Sequence, residues 1–103
     1  MDIITEKIGN TPLLLLERAS EEAGQDIYGK AEYVNPAGSI KDRTCHSMLT
    51  QALARGDLRP GDTIVEATAG NTGLGLIHFA QQLDLKVVIF MYQGESQHKI
   101  SRL

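Results

Sequence analysis

At 103 residues, with 42% apolar and 22% charged side chains, the chain has the composition of one globular domain, neither a disordered tract nor a fibre. Its net charge of −3, without a basic block or aromatic-basic interleaving, argues against nucleic acid as the main partner, and its single cysteine excludes an internal disulfide. Residues 1–6 lack a charged n-region followed by an apolar h-region, and no apolar run approaches ~18 residues, so a cytoplasmic, reducing compartment is the expectation.

Met1 to Lys7 reads as a short arm leading into the turn signal Ile8-Gly9-Asn10-Thr11-Pro12. Leu13-Leu14-Leu15-Leu16 is too short for a helix and is bounded by Pro12 and a charged stretch, which predicts a strand. Glu17 to Asp26 is polar with Gly24 as a breaker and predicts a connection with one helical turn. Ile27 to Val34 predicts a second strand, paired antiparallel with the first. Asn35-Pro36 then ends the β-like run, Gly38 permits a tight bend, and Ser39 is a good N-cap with Asp42 as its capping partner. The helix opening there runs to Arg55, with Cys45, Met48, Leu49 and Ala52 at the spacing of one buried face and Gly56 as the C′ residue.

Pro60-Gly61 makes the next turn, and Thr63 to Glu66 is a short strand. Asn71 or Thr72 caps a second helix whose buried stripe is Gly73, Leu76, Ile77, Ala80 and Leu83. Lys86 to Met91 carries Val87-Val88-Ile89-Phe90-Met91, apolar on both alternating faces, as in a strand covered on both sides of a parallel sheet. Strand, helix and strand in that order predict a right-handed βαβ unit and an α/β fold. Gln97 to Leu103 reads as the opening of another helix, capped by Ser96, that stops without a C-terminal signal, so the expectation is a truncated α/β sheet.

Two junctions carry the chemistry. Lys41 falls in the first turn of its helix, where the positive end of the macrodipole penalises an ammonium and favours a neutral, nucleophilic amine. Glu66-Ala67-Thr68-Ala69-Gly70-Asn71-Thr72-Gly73 opens the next helix, where converging backbone N–H groups form an anion cradle. Hydroxyls of Thr68 and Thr72 and the amide of Asn71 add donors. An amine in one loop and an anion cradle in the other suit a cofactor enzyme whose substrate carries a carboxylate. Read singly, Lys41 is a solvated helix-start lysine beside Asp42, and the 68–73 loop is a plain helix cap.

Ile8-Gly9-Asn10-Thr11-Pro12-Leu13, Asn35-Pro36-Ala37-Gly38-Ser39-Ile40-Lys41-Asp42-Arg43 and Thr68-Ala69-Gly70-Asn71-Thr72-Gly73 resemble, in order and spacing, the cysteine synthase/cystathionine β-synthase family. The resemblance covers nearly the whole chain. It implies a partial tryptophan-synthase-β-like architecture (PLP fold type II), a truncated three-layer parallel sheet, with pyridoxal 5′-phosphate (PLP) as cofactor. Residues 1–34 would be an arm and early strands of the larger domain, and 35–103 the start of the smaller α/β domain, together one incomplete domain. Lys41 matches the lysine that forms the Schiff base with PLP and shuttles the substrate α-proton. Asn71 matches the asparagine that bonds the cofactor's phenolic oxygen. Thr68, Gly70, Asn71 and Thr72 match the loop that grips the substrate α-carboxylate.

The reaction so implied is β-replacement, in which an activated serine and a sulfur nucleophile, sulfide, give cysteine; the small-molecule partners are then an amino acid and sulfide, and the full-length form is a homodimer. Cystathionine β-synthase is the alternative within the class, and a non-catalytic association module the alternative outside it. A nucleotide-phosphate-binding half-domain lacks both G-x-G-x-x-G and P-loop spacing. Many members carry Ser where this chain has Ala69. The family's phosphate-binding Gly/Thr-rich loop lies downstream of these motifs, which predicts weak PLP binding and no turnover by this chain alone. Cys45 is expected as a core residue, the histidines have no metal-ligand spacing, and Tyr28, Tyr33 and Tyr92 are expected to pack.

Overall fold

A computed structural model describes residues 7–68, 70–92 and 101. Among the described residues, two small sheets and three complete α-helices follow one another. β1 (Leu13–Leu15) and β2 (Tyr28–Lys30) pair antiparallel, with Leu13 opposite Lys30 and Leu15 opposite Tyr28. β3 (Thr63–Ala67) and β4 (Lys86–Phe90) pair parallel, Thr63 opposite Lys86 and Ala67 opposite Phe90, in a separate sheet. The antiparallel hairpin and the parallel pair are both as the sequence predicts.

Between β1 and β2 lies α1 (Glu17–Ala23), a seven-residue helix where the polar composition predicted one turn. Gly24 ends it in the left-handed region and donates its N–H to Ser20 O. The second strand is shorter than expected. Glu32–Val34 forms a 3-10 turn, because the Glu32 carboxylate is drawn to Arg43 and Thr11 and Asn35 N closes back on Glu32 O. Asn35 itself has ψ 154, the extended backbone that a following proline imposes.

α2 (Lys41–Arg55) begins one residue later than expected, with Ile40 in place of Ser39 at the cap position and no side-chain bond from it. Ser39 Oγ accepts from Lys41 N at 3.1 Å, while the Asp42 carboxylate reaches outward to Ala37 N instead of closing a capping box. Its buried residues are Asp42, Cys45 and Leu49; Met48, expected in the stripe, is 45% exposed because it lies off that line. Gly56 ends the helix at φ 80, as predicted.

α3 (Asn71–Gln82) connects the parallel strands and buries Gly73, Gly75, Leu76, Phe79 and Ala80. Ile77 and Leu83 are half-buried, and Phe79, absent from the expected stripe, is fully buried. Cys45, Leu49, Leu76, Phe79, Ala80 and Leu85 form the core, with Ile64 and Val87 of the parallel pair packed against it. The expectation that β4 is covered on both faces does not hold among the described residues. Val65, Val88 and Phe90 face outward, 59%, 43% and 61% exposed, because α2 and α3 cover only the opposite side. Tyr28, Tyr33 and Tyr92 are likewise exposed, not packed. The helix expected over 97–103 lies outside the described residues apart from Ser101, which is helical.

Candidate functional site at two helix starts

The bend that delivers Lys41 is built on Asn35, which is 3% exposed. Its Nδ2 donates to the carbonyls of Glu32 at 2.9 Å and Ser39 at 3.0 Å, and its Oδ1 accepts from Gly9 N at 2.8 Å. One side chain therefore ties the Gly9 turn, the 3-10 turn and the last residues before α2 together. Asp42 is fully buried behind Lys41; one oxygen accepts from Ala37 N and the other, Oδ1, has no partner among the described residues. Lys41 itself is exposed at the first position of α2.

Neither Asn71 nor Thr72 caps α3, contrary to the sequence reading. Gly70 occupies the cap position with no side-chain bond there, and its own N–H donates to Thr68 Oγ1 at 3.3 Å. The Asn71 side chain is left exposed and the first-turn N–H groups have no intrahelical acceptors. Such an uncapped start attracts anions through its donors and its dipole together. Ala69 is outside the described residues.

These two starts touch. Cys45, one turn into α2, donates its thiol to Thr72 O at 3.4 Å. A Cβ placed on Gly75 would stand 2.8 Å from Cys45 Sγ and 3.5 Å from Lys41 O, so the helices cross closely here because Gly75 has no side chain. Burial, followed by the nearby Asp42 carboxylate, pushes the Cys45 thiol up to about 11 and keeps it a protonated donor. The crossing brings the backbone of Lys41 beside Gly75, one turn into α3, and Cys45 onto Thr72 at the start of that helix. Two surface concavities beside α1, both lined in part by Leu15 and Glu17, include neither Lys41 nor the 68–72 turn.

A second set of polar residues supports the α2 start. Arg43 Nε donates to Glu32 Oε1 at 2.7 Å, and its Nη2 reaches Glu32 Oε2 at 3.3 Å and Thr11 Oγ1 at 3.2 Å. Thr11 Oγ1 donates to Glu32 Oε2. These bonds, Arg43 first and Thr11 second, hold the Glu32 carboxyl down at about 2, against an ordinary value of 4.5. A depressed carboxyl contributes stability above about pH 4.5, and the contribution is lost as pH falls towards 2. The Glu32 side-chain carbon, followed by NMR through acid titration, should show its midpoint near that lower value. In Arg43→Met it should rise towards the ordinary range.

Sequence reasoning missed Glu32, the Asn35 side chain and Gly75. Glu32 was read as a strand residue, and only the close pair of glycines at 73 and 75 within a helix, costly at about 1 kcal/mol each, signalled a tight approach. Among the described residues, no group of three His, Cys, Asp or Glu could hold a metal ion, and no helix is long and apolar enough to cross a membrane.

The helix ahead of the βαβ unit thus sets its lysine-bearing start against the uncapped Gly/Thr/Asn start of the unit's own helix, in an α/β architecture. The chain belongs to the pyridoxal-phosphate dependent enzyme family, whose pattern matches residues 4–103. It is 53% identical over 100 residues to cysteine synthase 1 of Neurospora crassa, an overlap of 97% of this chain and 27% of that protein. Against cysteine synthase B of Salmonella typhimurium the identity is 41% over 99 residues, covering 96% of this chain and 33% of the relative. A crystal structure of O-ureido-L-serine synthase overlays with a TM-score of 0.89 at 38% identity, over 99% of this chain and 32% of that one. The chain therefore spans roughly a third or less of the proteins it matches, and the PLP fold type II architecture expected from its motifs is present in part.

Proposed function

We propose that this chain supplies the lysine and the carboxylate-binding turn of a PLP-dependent enzyme that makes cysteine from an O-activated serine and sulfide by β-replacement. The crossing of α2 and α3 at Cys45, Thr72 and Gly75 carries the reading, since it holds the Lys41 start and the 68–72 turn together. The residues present suit PLP: an exposed primary amine at Lys41, an exposed amide at Asn71, and an uncapped helix start for anionic groups. At Gly70 a Cβ would meet nothing within 4 Å, so open space adjoins that turn. When bound, PLP supplies an electron sink for the charge that develops at the substrate α-carbon.

The chain's own residues do the rest. Lys41 Nζ would take the α-proton and return it. Thr68, Gly70, Asn71 and Thr72 would hold the substrate carboxylate with oriented donors, and the Asn71 amide would help to hold the cofactor. The separate hairpin and parallel pair suit a division into early strands over 1–34 and the start of a smaller α/β domain over 35–103. A homodimer would bury apolar faces such as Val65, Val88 and Phe90, and a cytoplasmic setting suits the free thiol of Cys45.

The test is to mix the chain with PLP, reduce with borohydride and map the modified lysine by peptide mass. Label should concentrate on Lys41 over Lys7, Lys30, Lys86 and Lys99, and drop in Asn71→Ala. Lys30 is a built-in control, because its Nζ is already engaged by Thr11 O at 2.6 Å. Even labelling across the five lysines would overturn the claim that these residues organise the lysine site by themselves.

A further inference from the structure

We infer that Arg43, clamped by Glu32 and Thr11 against the backbone of Gly9, is a positioning residue that sets the rotation of α2 and hence the direction of the Lys41 amine. The inference rests on the reading of Lys41 given above. Successive residues of an α-helix are about 100° apart, so side chains at positions 41 and 43 leave from nearly opposite sides of the axis. A pin on Arg43 therefore governs where Lys41 points without touching what Lys41 touches.

The clamp is built from four directions. Both carboxylate oxygens of Glu32 face the Arg43 fork, at 2.7 Å from Nε and 3.3 Å from Nη2. Thr11, 5% exposed, bonds both partners through its one hydroxyl. Asn35 Nδ2 adds a bond to Glu32 Oε1 at 3.1 Å. On the remaining side, Gly9 lies so close that a Cβ there would stand 3.0 Å from Arg43 Nη1, and its φ of +78 suits glycine in any case. The planar guanidinium, on a side chain 41% exposed, thus rests one edge on a bare stretch of backbone while its Nε and Nη2 donors are taken up by Glu32 and Thr11. A lysine could supply charge but not this fork.

The clamp matters because the side chain of the α2 cap residue, Ile40, bonds nothing in the first turn, which leaves Ser39 Oγ on Lys41 N and Asp42 on Ala37 N as its local side-chain ties. Its first turn is fixed at one edge by Cys45 on Thr72 O and at another by Arg43 on Glu32. With Arg43 removed, the first edge remains a hinge about which the turn can roll. A displacement on the order of 1 Å at a reacting group can reduce a rate about 100-fold. The clamp also explains why the turn at Gly9-Asn10-Thr11, distant in sequence, accompanies the lysine-bearing bend: its backbone seats the guanidinium and its hydroxyl completes the fork.

The experiment compares the whole chain with Arg43→Met, Arg43→Lys and Glu32→Gln, using two readouts. The first, without PLP, is amide hydrogen exchange: the α2 first turn, Asp42 to Cys45, should exchange about tenfold faster in Arg43→Met while Phe79 and Ala80 keep their protection. The second is the rate of borohydride-trapped labelling at Lys41 relative to Lys86, expected to fall about tenfold in Arg43→Met, with partial recovery in Arg43→Lys and an intermediate value in Glu32→Gln. If exchange rises equally at Phe79 and Ala80, the pair is only a structural tie and the inference is overturned. Wild-type exchange and labelling in all three variants overturns it as well. Local exchange that rises in a chain whose wild type labels no lysine preferentially would uphold the clamp on the helix start while refuting the role of Lys41, and with it the link to the amine.

Discussion

Phe79→Ala should bring the chain to the edge of unfolding at room temperature. Phe79 is fully buried at the centre of a core of six residues, with the His46 and His78 rings edge-on at 5.8 and 5.0 Å. Deleting a buried phenyl ring costs about 3–5 kcal/mol, the lost transfer energy plus the cavity left behind. Domains of this size have about 5–15 kcal/mol of stability in all, and a core this small belongs near the lower end. Collapse of the cavity is hindered because α3 is held on one side by the parallel pair and on the other by α2, so neighbouring atoms cannot close in. Phe79→Leu, which keeps most of the volume, should cost about 1–1.5 kcal/mol. Urea unfolding followed by far-UV circular dichroism checks both; an unchanged midpoint in Phe79→Ala would place the core elsewhere.

Gly75→Ala should be destabilising, against the preference of an exposed helix. On propensity alone the change favours the helix by about 1 kcal/mol. Opposing this, the new methyl would stand 2.8 Å from Cys45 Sγ and 3.3 Å from Cys45 Cβ, and the thiol cannot swing away because Cys45 is completely buried. The carbonyl of Lys41, 3.5 Å from the same point, blocks the other direction. Overpacking of this kind costs about 1–3 kcal/mol, so the net loss should be about 1 kcal/mol and the helix starts should be pushed apart. In a Cys45→Ala background the obstructing sulfur is gone. There Gly75→Ala should become neutral or stabilising, and this reversal, read from a double-mutant cycle, identifies the contact itself. The same change should lower Lys41 labelling by PLP, because the crossing sets the spacing between Lys41 and the 68–72 turn. Additive effects of the two substitutions would show that the contact is not close.

Much of the fold was legible because its signals are local. The leucine run after Pro12, the glycine ends of α1 and α2, and the apolar strands either side of α3 each report on a few neighbouring residues. Boundaries were less legible where a distant partner competes with a local rule. Ser39 looks like an N-cap, yet Asp42 prefers the amide of Ala37, and Asn35 pulls the Ser39 carbonyl into a different turn. Glu32 sits in a β-like alternation, yet Arg43 and Thr11 draw it out of the strand. The apolar alternation of β4 reported how buried a strand could be, not which of its faces the described helices cover.

Residue order and type sufficed to place Lys41 and the Thr68–Thr72 turn at two helix starts, because helix entry is decided by a few adjacent residues. That the two starts meet was decided by tertiary structure alone. It depends on Gly75 admitting Cys45, on a thiol reaching Thr72 O, and on a guanidinium finding Glu32, Thr11 and the bare backbone of Gly9. These contacts join residues far apart along the chain, and periodicity describes each helix face without saying which face meets which, or how closely. Packing of whole elements settles that, and it sets the direction in which Lys41 points.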